Sequence, residues 1–211
     1  GPGGMREAVQ RAEEIVATFI EAVIAPGYSG EGIELFRKSK NLRLMVLPGI
    51  EKAFAQTDWD LRRIRGGILV QEPDTSLAGP SSWEIVTDRE PTEKEKEALL
   101  FAWKVVKHIR SNAICLATRE RTIGIGAGQM SRVDAVELAI RKAQGAGAYT
   151  GGTAMASDGF FPFRDSIDLA NDAGVTAVIQ PGGSIRDREV IGACNEHNLA
   201  MVLTKERHFR H

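Results

Sequence analysis

The densest collection of chemically useful residues is ASDGFFPFRDSID, Ala156 to Asp168. Of the 8 phenylalanines in the chain, Phe160, Phe161 and Phe163 surround Pro162 here, with carboxylates at Asp158 and Asp165. The proline argues against a buried strand, and three phenyl rings argue against a solvated loop. The segment follows the strand-like GTAMAS and precedes a helix predicted from Asp165. It therefore stands at a strand's carboxyl end, where open α/β sheets bind ligands. Aromatic faces in that position can wall a flat heterocycle, and Asp165 can accept hydrogen bonds from ring NH groups. The plainer role of Asp165 is to cap its helix. The clustering of rings favours a planar ligand.

Two glycine-bearing turns carry weaker signals. IGIGAGQMSR, Ile123 to Arg132, places glycines at alternating positions between a strand and a helix. It meets neither the G-x-G-x-x-G dinucleotide pattern nor the G-x-x-x-x-G-K-[ST] phosphate loop. A ligand loop and a tight turn are equally good readings. Arg132, just inside the helix, favours the ligand, because a guanidinium there can hold a carboxamide or carboxylate. PGGS, Pro181 to Ser184, offers backbone donors after VTAVIQ, or else is an ordinary turn with Ser184 as N-cap. The basic tail KERHFRH is either a solvated end or a segment drawn inward by an anion such as phosphate. The H-x-E and P-C-x-x-C signature of zinc deaminases is absent, which excludes that chemistry.

These loops need a frame. Apolar residues at Val9, Ala12, Val16, Phe19 and Val23 predict a helix over 6–25, ended by APGYSGEG. LRLMVL and GGILVQ read as strands, and WEIVT as another after a Pro, Gly and Ser-rich loop. Thr92 and Glu95 have capping-box spacing and open a long helix. AICLAT and TIGIG are short strands about the turn RERT. Ser131 and Asp134 cap the next helix, whose Val133, Val136, Ile140 and Ala143 share a face. GTAMAS, VTAVIQ and LAMVLT alternate with helices from Asp165 and over IRDREVIGACNEH. That alternation predicts an α/β layered sheet. Residues 1–5 read as a cloning remnant and start, 6–91 as a helix-and-strand segment, and 92–211 as the α/β subdomain carrying the loops.

Composition narrows the classes further. With 211 residues, 27 basic and 28 acidic, the chain has a net charge of −1 and no general attraction to nucleic acid or membrane. Cys115 and Cys194 lack paired spacing, so neither a disulfide framework nor a zinc site is expected, and a reducing, cytoplasmic setting fits. No apolar run reaches the length of a transmembrane helix.

Taken together, VKHIRSNAICLA, IGIGAGQMSR, ASDGFFPFRD, AVIQPGGSIRD and the terminal RHFRH closely resemble the AICAR transformylase/IMP cyclohydrolase family. FIEAVIAPGYS, NLRLMVL, GGILVQEPDT and PTEKEKEALLFAWKVVKHI extend the resemblance from about residue 6 to the end. It implies a three-layer α/β/α fold, cytidine-deaminase-like. It also implies formyl transfer from 10-formyltetrahydrofolate to the 5-amino group of aminoimidazole carboxamide ribonucleotide, AICAR. By that resemblance Asn112, Arg132 and Phe160 contact the aminoimidazole carboxamide, and Arg207 meets the 5′-phosphate. Val133, Asp165, Ser184 and Ile185 line the folate site, and Asp158 and His211 stand near a potassium ion. Asn112 would be the catalytic donor to the oxyanion that develops in formyl transfer. The family pattern also holds a Lys-His pair and a Phe-Gly-Gly segment upstream of Arg6, while Lys107-His108 matches another part of it. The expectation is thus a shortened or split transformylase without the cyclohydrolase domain, acting as a homodimer or with a partner chain. The alternative is a non-catalytic module that binds folate or purine nucleotide.

Overall fold

The computed structural model describes residues 2–50 and 59–211, with backbone alone for 2–8 and Arg11. Two compact units divide the chain, Gly1–Pro73 and Asp74–His211.

In the first unit, helix α1 (Pro2–Ala17) takes in 2–5 of the residues set aside as a remnant and stops well short of residue 25. Thr18 turns the chain out of the helix: its amide bonds to Ile15 O at 3.1 Å and its hydroxyl to Glu14 O at 2.9 Å. Phe19, expected on the helix's apolar face, is exposed. Val23 lies instead on strand β1 (Ala22–Ala25), which pairs in parallel with β2 (Arg43–Val46). A β-branched, apolar run gains more from that non-local pairing than from extending the helix. Between them, the APGYSGEG breaker opens helix α2 (Gly30–Phe36), whose N-cap Ser29 accepts from the Gly32 amide. Strands β3 (Asp60–Ile64) and β4 (Gly67–Gln71) form an antiparallel hairpin.

The second unit is built on a six-stranded sheet, in the order β5-β10-β9-β8-β6-β7. Its strands are β5 (Glu84–Ile85), β6 (Ile114–Ala117), β7 (Thr122–Gly126), β8 (Ala154–Ser157), β9 (Ala177–Gln180) and β10 (Ala200–Leu203). Helix α3 (Glu93–Val106) covers one face; α4 (Arg132–Gly145), α5 (Asp165–Asp172) and α6 (Asp187–Glu196) are packed with the other. This three-layer arrangement explains why the central strands read as continuous apolar runs: both faces are covered. Ile114, Leu116, Met155, Val178 and Met201 join the core with α4, α5 and α6. Cys115, Ala117, Ala154, Ala156, Ala177 and Ala200 face the other way, and these small side chains make room for Leu99 and Trp103 of α3. Cys115 and Cys194 belong to different cores, so they cannot pair, and burial pushes both thiols up to about 12. No helix among the described residues is long and apolar enough to cross a membrane.

Both predicted helix starts have the expected geometry. Thr92 and Glu95 form a reciprocal capping box, and Ser131 Oγ accepts from the Asp134 amide at 3.1 Å.

Candidate active site

Strand direction decides where the chemistry gathers. β8, β9 and β10 run parallel, and β6 is antiparallel to both β8 and β7. The carboxyl ends of β7, β8, β9 and β10 and the amino end of β6 therefore share one edge. Every candidate residue follows one of those ends or precedes that beginning: Asn112 before β6, Arg132 and Val133 after β7, Asp158, Phe160 and Asp165 after β8, Ser184 and Ile185 after β9, Arg207 and His211 after β10.

At the centre lies a buried ion pair. The Asp158 side chain is fully buried and the Arg132 side chain is 7% exposed. Arg132 donates from Nη1 to the Asp158 carboxylate and to Ser157 Oγ at 2.9 Å, and from Nη2 to Asn112 Oδ1 at 2.8 Å. Asp158 also accepts from the Ser111 hydroxyl and from the Ala113 amide at 3.0 Å. Such a pair repays its desolvation only when its polar atoms are paired, and here both carboxylate oxygens and both terminal guanidinium nitrogens are. Asn112 is held at both ends. Its Nδ2 donates to Gln129 O at 2.9 Å and Met130 O at 3.2 Å, so both amide hydrogens point at main-chain carbonyls. Thus the guanidinium predicted to hold a ligand carboxamide is engaged with the protein's own carboxylate and amide. The Asp158 carboxylate likewise answers donors only. That is the environment of a counter-charge to Arg132. His211 is exposed beside Phe209, with ring centroids 6.2 Å apart.

Of the three glycines of IGIGAG, Gly124 and Gly126 serve the packing of α4 on the strand, and Gly128 serves the turn. A Cβ on Gly124 would stand 2.1 Å from Ala139 O, and one on Gly126 1.8 Å from Ala135 O. They let α4 lie directly on β7, which sets the start of α4 and hence Arg132. Gly128, at φ +65°, belongs to the turn, where its amide bonds to Arg110 O at 2.7 Å.

The three rings of FFPF have three different environments. Phe161 is fully buried, and its amide donates to Gln180 Oε1 at 2.9 Å. Phe160 is half-buried under the Arg207 guanidinium, 5.3 Å from its centroid. Phe163 is 47% exposed beneath Arg186 at 4.8 Å. Gly159 allows the approach of Arg132 and Phe209: a Cβ there would meet Arg132 Nη2 at 2.6 Å and the Phe209 ring at 2.9 Å. So the aromatic loop, the ion pair and the tail touch one another.

The remaining loops are partly self-satisfied. Asp165 is exposed as the first residue of α5, whose N-cap is Arg164; its carboxylate accepts from the Ser166 amide at 2.6 Å. Ser184 is not the N-cap of α6, a position held by Arg186; its hydroxyl accepts from the Arg186 amide at 3.1 Å. The Gly183 and Ser184 amides that PGGS was expected to offer go to the Asp187 carboxylate at 2.7 and 3.2 Å. Ile185 is fully exposed and Val133 half-buried. Lys107, one half of the only KH dipeptide, bonds to Asp74 at 3.3 Å and Ser76 O at 2.6 Å. Burial, then the charges of Lys107 and Arg210, lower the His108 pKa.

The sequence reading missed Ser111, Ser157 and His208 as partners in this network. Ser111 and Ser157 directly adjoin candidate residues, which was the only available signal. His208 gave none, standing within a basic, polar tail.

Comparison with known proteins gives the family. The sequence model of the AICARFT/IMPCHase bienzyme matches residues 7–142. A bifunctional purine biosynthesis protein PurH of Magnetococcus marinus is 53% identical over 207 residues, 95% of this chain and 39% of its own length. Proteins of the same name from Persephonella marina and Aquifex aeolicus are each 50% identical, over 204 and 202 residues. Both alignments take in 96% of this chain, and 39% and 38% of those proteins. The chain thus spans about two fifths of the length of the curated relatives it matches. Half-identity sustained over nearly all of this sequence leaves one assignment: the chain belongs to the AICARFT/IMPCHase bienzyme family.

Proposed function

We propose that this chain carries the nucleotide- and folate-binding loops of an AICAR formyltransferase, moving the formyl group of 10-formyltetrahydrofolate to the 5-amino group of AICAR in purine biosynthesis. One observation carries the reading: the Arg207 guanidinium stacked on Phe160 at the sheet edge, beside the Asn112–Arg132–Asp158 cluster. A cation over an aromatic face meets the two demands of the nucleotide, a phosphate to be paired and a flat heterocycle to be walled. Ser184, Ile185 and Val133 would face the folate, and Asp165 would accept from its ring NH groups. Formyl transfer needs the amine aligned with the formyl carbon and one proton moved off the amine. Alignment is what this cluster offers. Asn112 would have to release a carbonyl before donating to the developing oxyanion.

The same saturation supports a second reading, a binding module or partner subunit that holds nucleotide or folate without turnover. The acid–base pair would then come from a partner chain or a second copy, in the cytoplasm where purines are made. The test is incubation of the purified chain with AICAR and 10-formyltetrahydrofolate, alongside calorimetry with each ligand. Formyl-AICAR formation supports the enzyme. Binding without product supports the module, and absence of binding to either ligand contradicts both.

A further inference from the structure

We infer that Asp74 and His208 form a latch that fixes the C-terminal segment on the sheet edge and thereby positions Arg207. The inference rests on the nucleotide-binding reading above. Beyond β10 the segment has no ladder of its own, so its register must come from other contacts. Four main-chain bonds hold it: Thr204 N to Gln180 O at 2.9 Å, Lys205 N to Pro181 O at 3.0 Å, His208 N to Asp158 O at 3.1 Å, and Ser111 N to Arg210 O at 2.8 Å.

Side chains supply the rest. His208 is 1% exposed although Arg207 and Phe209 on either side of it are exposed. An imidazole is buried in a polar chain end only where it finds a partner. Its Nδ1 lies 2.6 Å from Asp74 Oδ2, where it donates to the carboxylate, and its ring packs on Trp103 at 4.6 Å. Asp74 is itself held by Lys107 at 3.3 Å. Two residues earlier, the Glu206 carboxylate accepts from Ser76 Oγ and the Ala78 amide, both at 2.6 Å. Successive side chains of an extended segment point to opposite sides. Glu206 and His208 grip residues 74–78, and Arg207 between them is left facing Phe160. Nε2 of His208 is buried without a partner among the described residues, beside the equally unpartnered Trp103 Nε1. A group enclosed in this way does not touch a ligand. His208 is a positioning residue acting through Arg207 and the Asp158 carbonyl.

The test titrates AICAR and its unphosphorylated riboside against wild type, Arg207→Ala, His208→Ala, His208→Gln, Asp74→Ala and the double variant R207A/H208A. His208→Ala and Asp74→Ala should weaken the ribonucleotide about tenfold while leaving the riboside within about twofold. His208→Gln, whose amide can still donate to Asp74, should recover most of the loss. The double variant should bind no more weakly than Arg207→Ala alone, because His208 acts through that side chain. Equal losses for both ligands, or additive losses in the double variant, overturn the latch. If Arg207→Ala itself fails to distinguish the ligands, the phosphate reading falls and hydrogen exchange decides the latch separately. Faster exchange confined to 204–211 in His208→Ala and Asp74→Ala then upholds it. Unchanged exchange there overturns it. Asp74, with a 38% exposed side chain, probes the same contact without opening the core.

Discussion

At the scale of single residues, the site depends on charge pairing out of water. Asp158 accepts from Arg132, Ser111 and the Ala113 amide, and removing its charge would strand the guanidinium in a nearly closed space. We expect Asp158→Asn to cost roughly 3–5 kcal/mol, as breaking one side of a buried pair does. Chemical denaturation checks this, and a loss within error would mean that the pair adds no stability. Residue identity was also where the sequence was most readable. Asn112, Arg132 and Asp158 were each singled out, and they are bonded together. Their partners were not readable, because a hydrogen bond between loops distant in sequence leaves no local pattern. The engagement of the Arg132 guanidinium by Asp158, Ser157 and Asn112 was therefore not foreseen.

At the scale of elements, local signals were reliable where the physics is local. The capping box at Thr92 and the N-cap bond at Ser131 form as their spacing requires, because each links residues three apart. The helix over 6–25 failed beyond Ala17, since the competing strand β1 is stabilised by residues 43–46, far along the chain. Gly124 and Gly126 were misread for the same reason: the carbonyls they accommodate belong to α4, which the strand's own sequence does not reveal. One element carries a pH signature. Arg89 joins Glu95 of α3 to Thr176 O and Asn198 O, tying the helix to loops at the opposite edge of the sheet. Burial alone would raise the Glu95 carboxyl, but hydrogen bonds from Arg89 and the Thr92 amide outweigh it and hold the group at about 2, below its ordinary 4.5. A depressed carboxyl stabilises fully above its unfolded pKa, and that contribution is lost as pH falls from 4.5 toward 2. Glu95→Gln should lower stability at neutral pH by on the order of 2 kcal/mol and flatten the acid limb. Parallel stability curves for the two proteins across that window would contradict the assignment.

At the scale of the whole molecule, the first unit presents unpaired apolar surface. Leu61, Ile68, Leu69 and Val70 of the β3–β4 hairpin are all more than half exposed, and a two-stranded hairpin is marginal without a covered face. A second copy of the chain would supply such cover, and on that expectation light scattering at micromolar concentration gives twice the 23.0 kDa chain mass. A strictly monomeric mass would count against it. The layered class of the second unit was legible from the alternation of strands and helices after residue 92. The sheet order was not, because it is set by which strands meet and not by any one segment.

On the proposed function, the aromatic loop and the docked tail together read a phosphate-bearing heterocycle. The most direct measurement of that recognition is calorimetric titration of AICAR and its riboside, side by side, against the wild-type chain and Arg207→Ala. A charge-assisted contact to phosphate predicts that the variant loses about 1.5–3 kcal/mol for the ribonucleotide and almost nothing for the riboside. A parallel loss for the two ligands, or no loss for either, would contradict it.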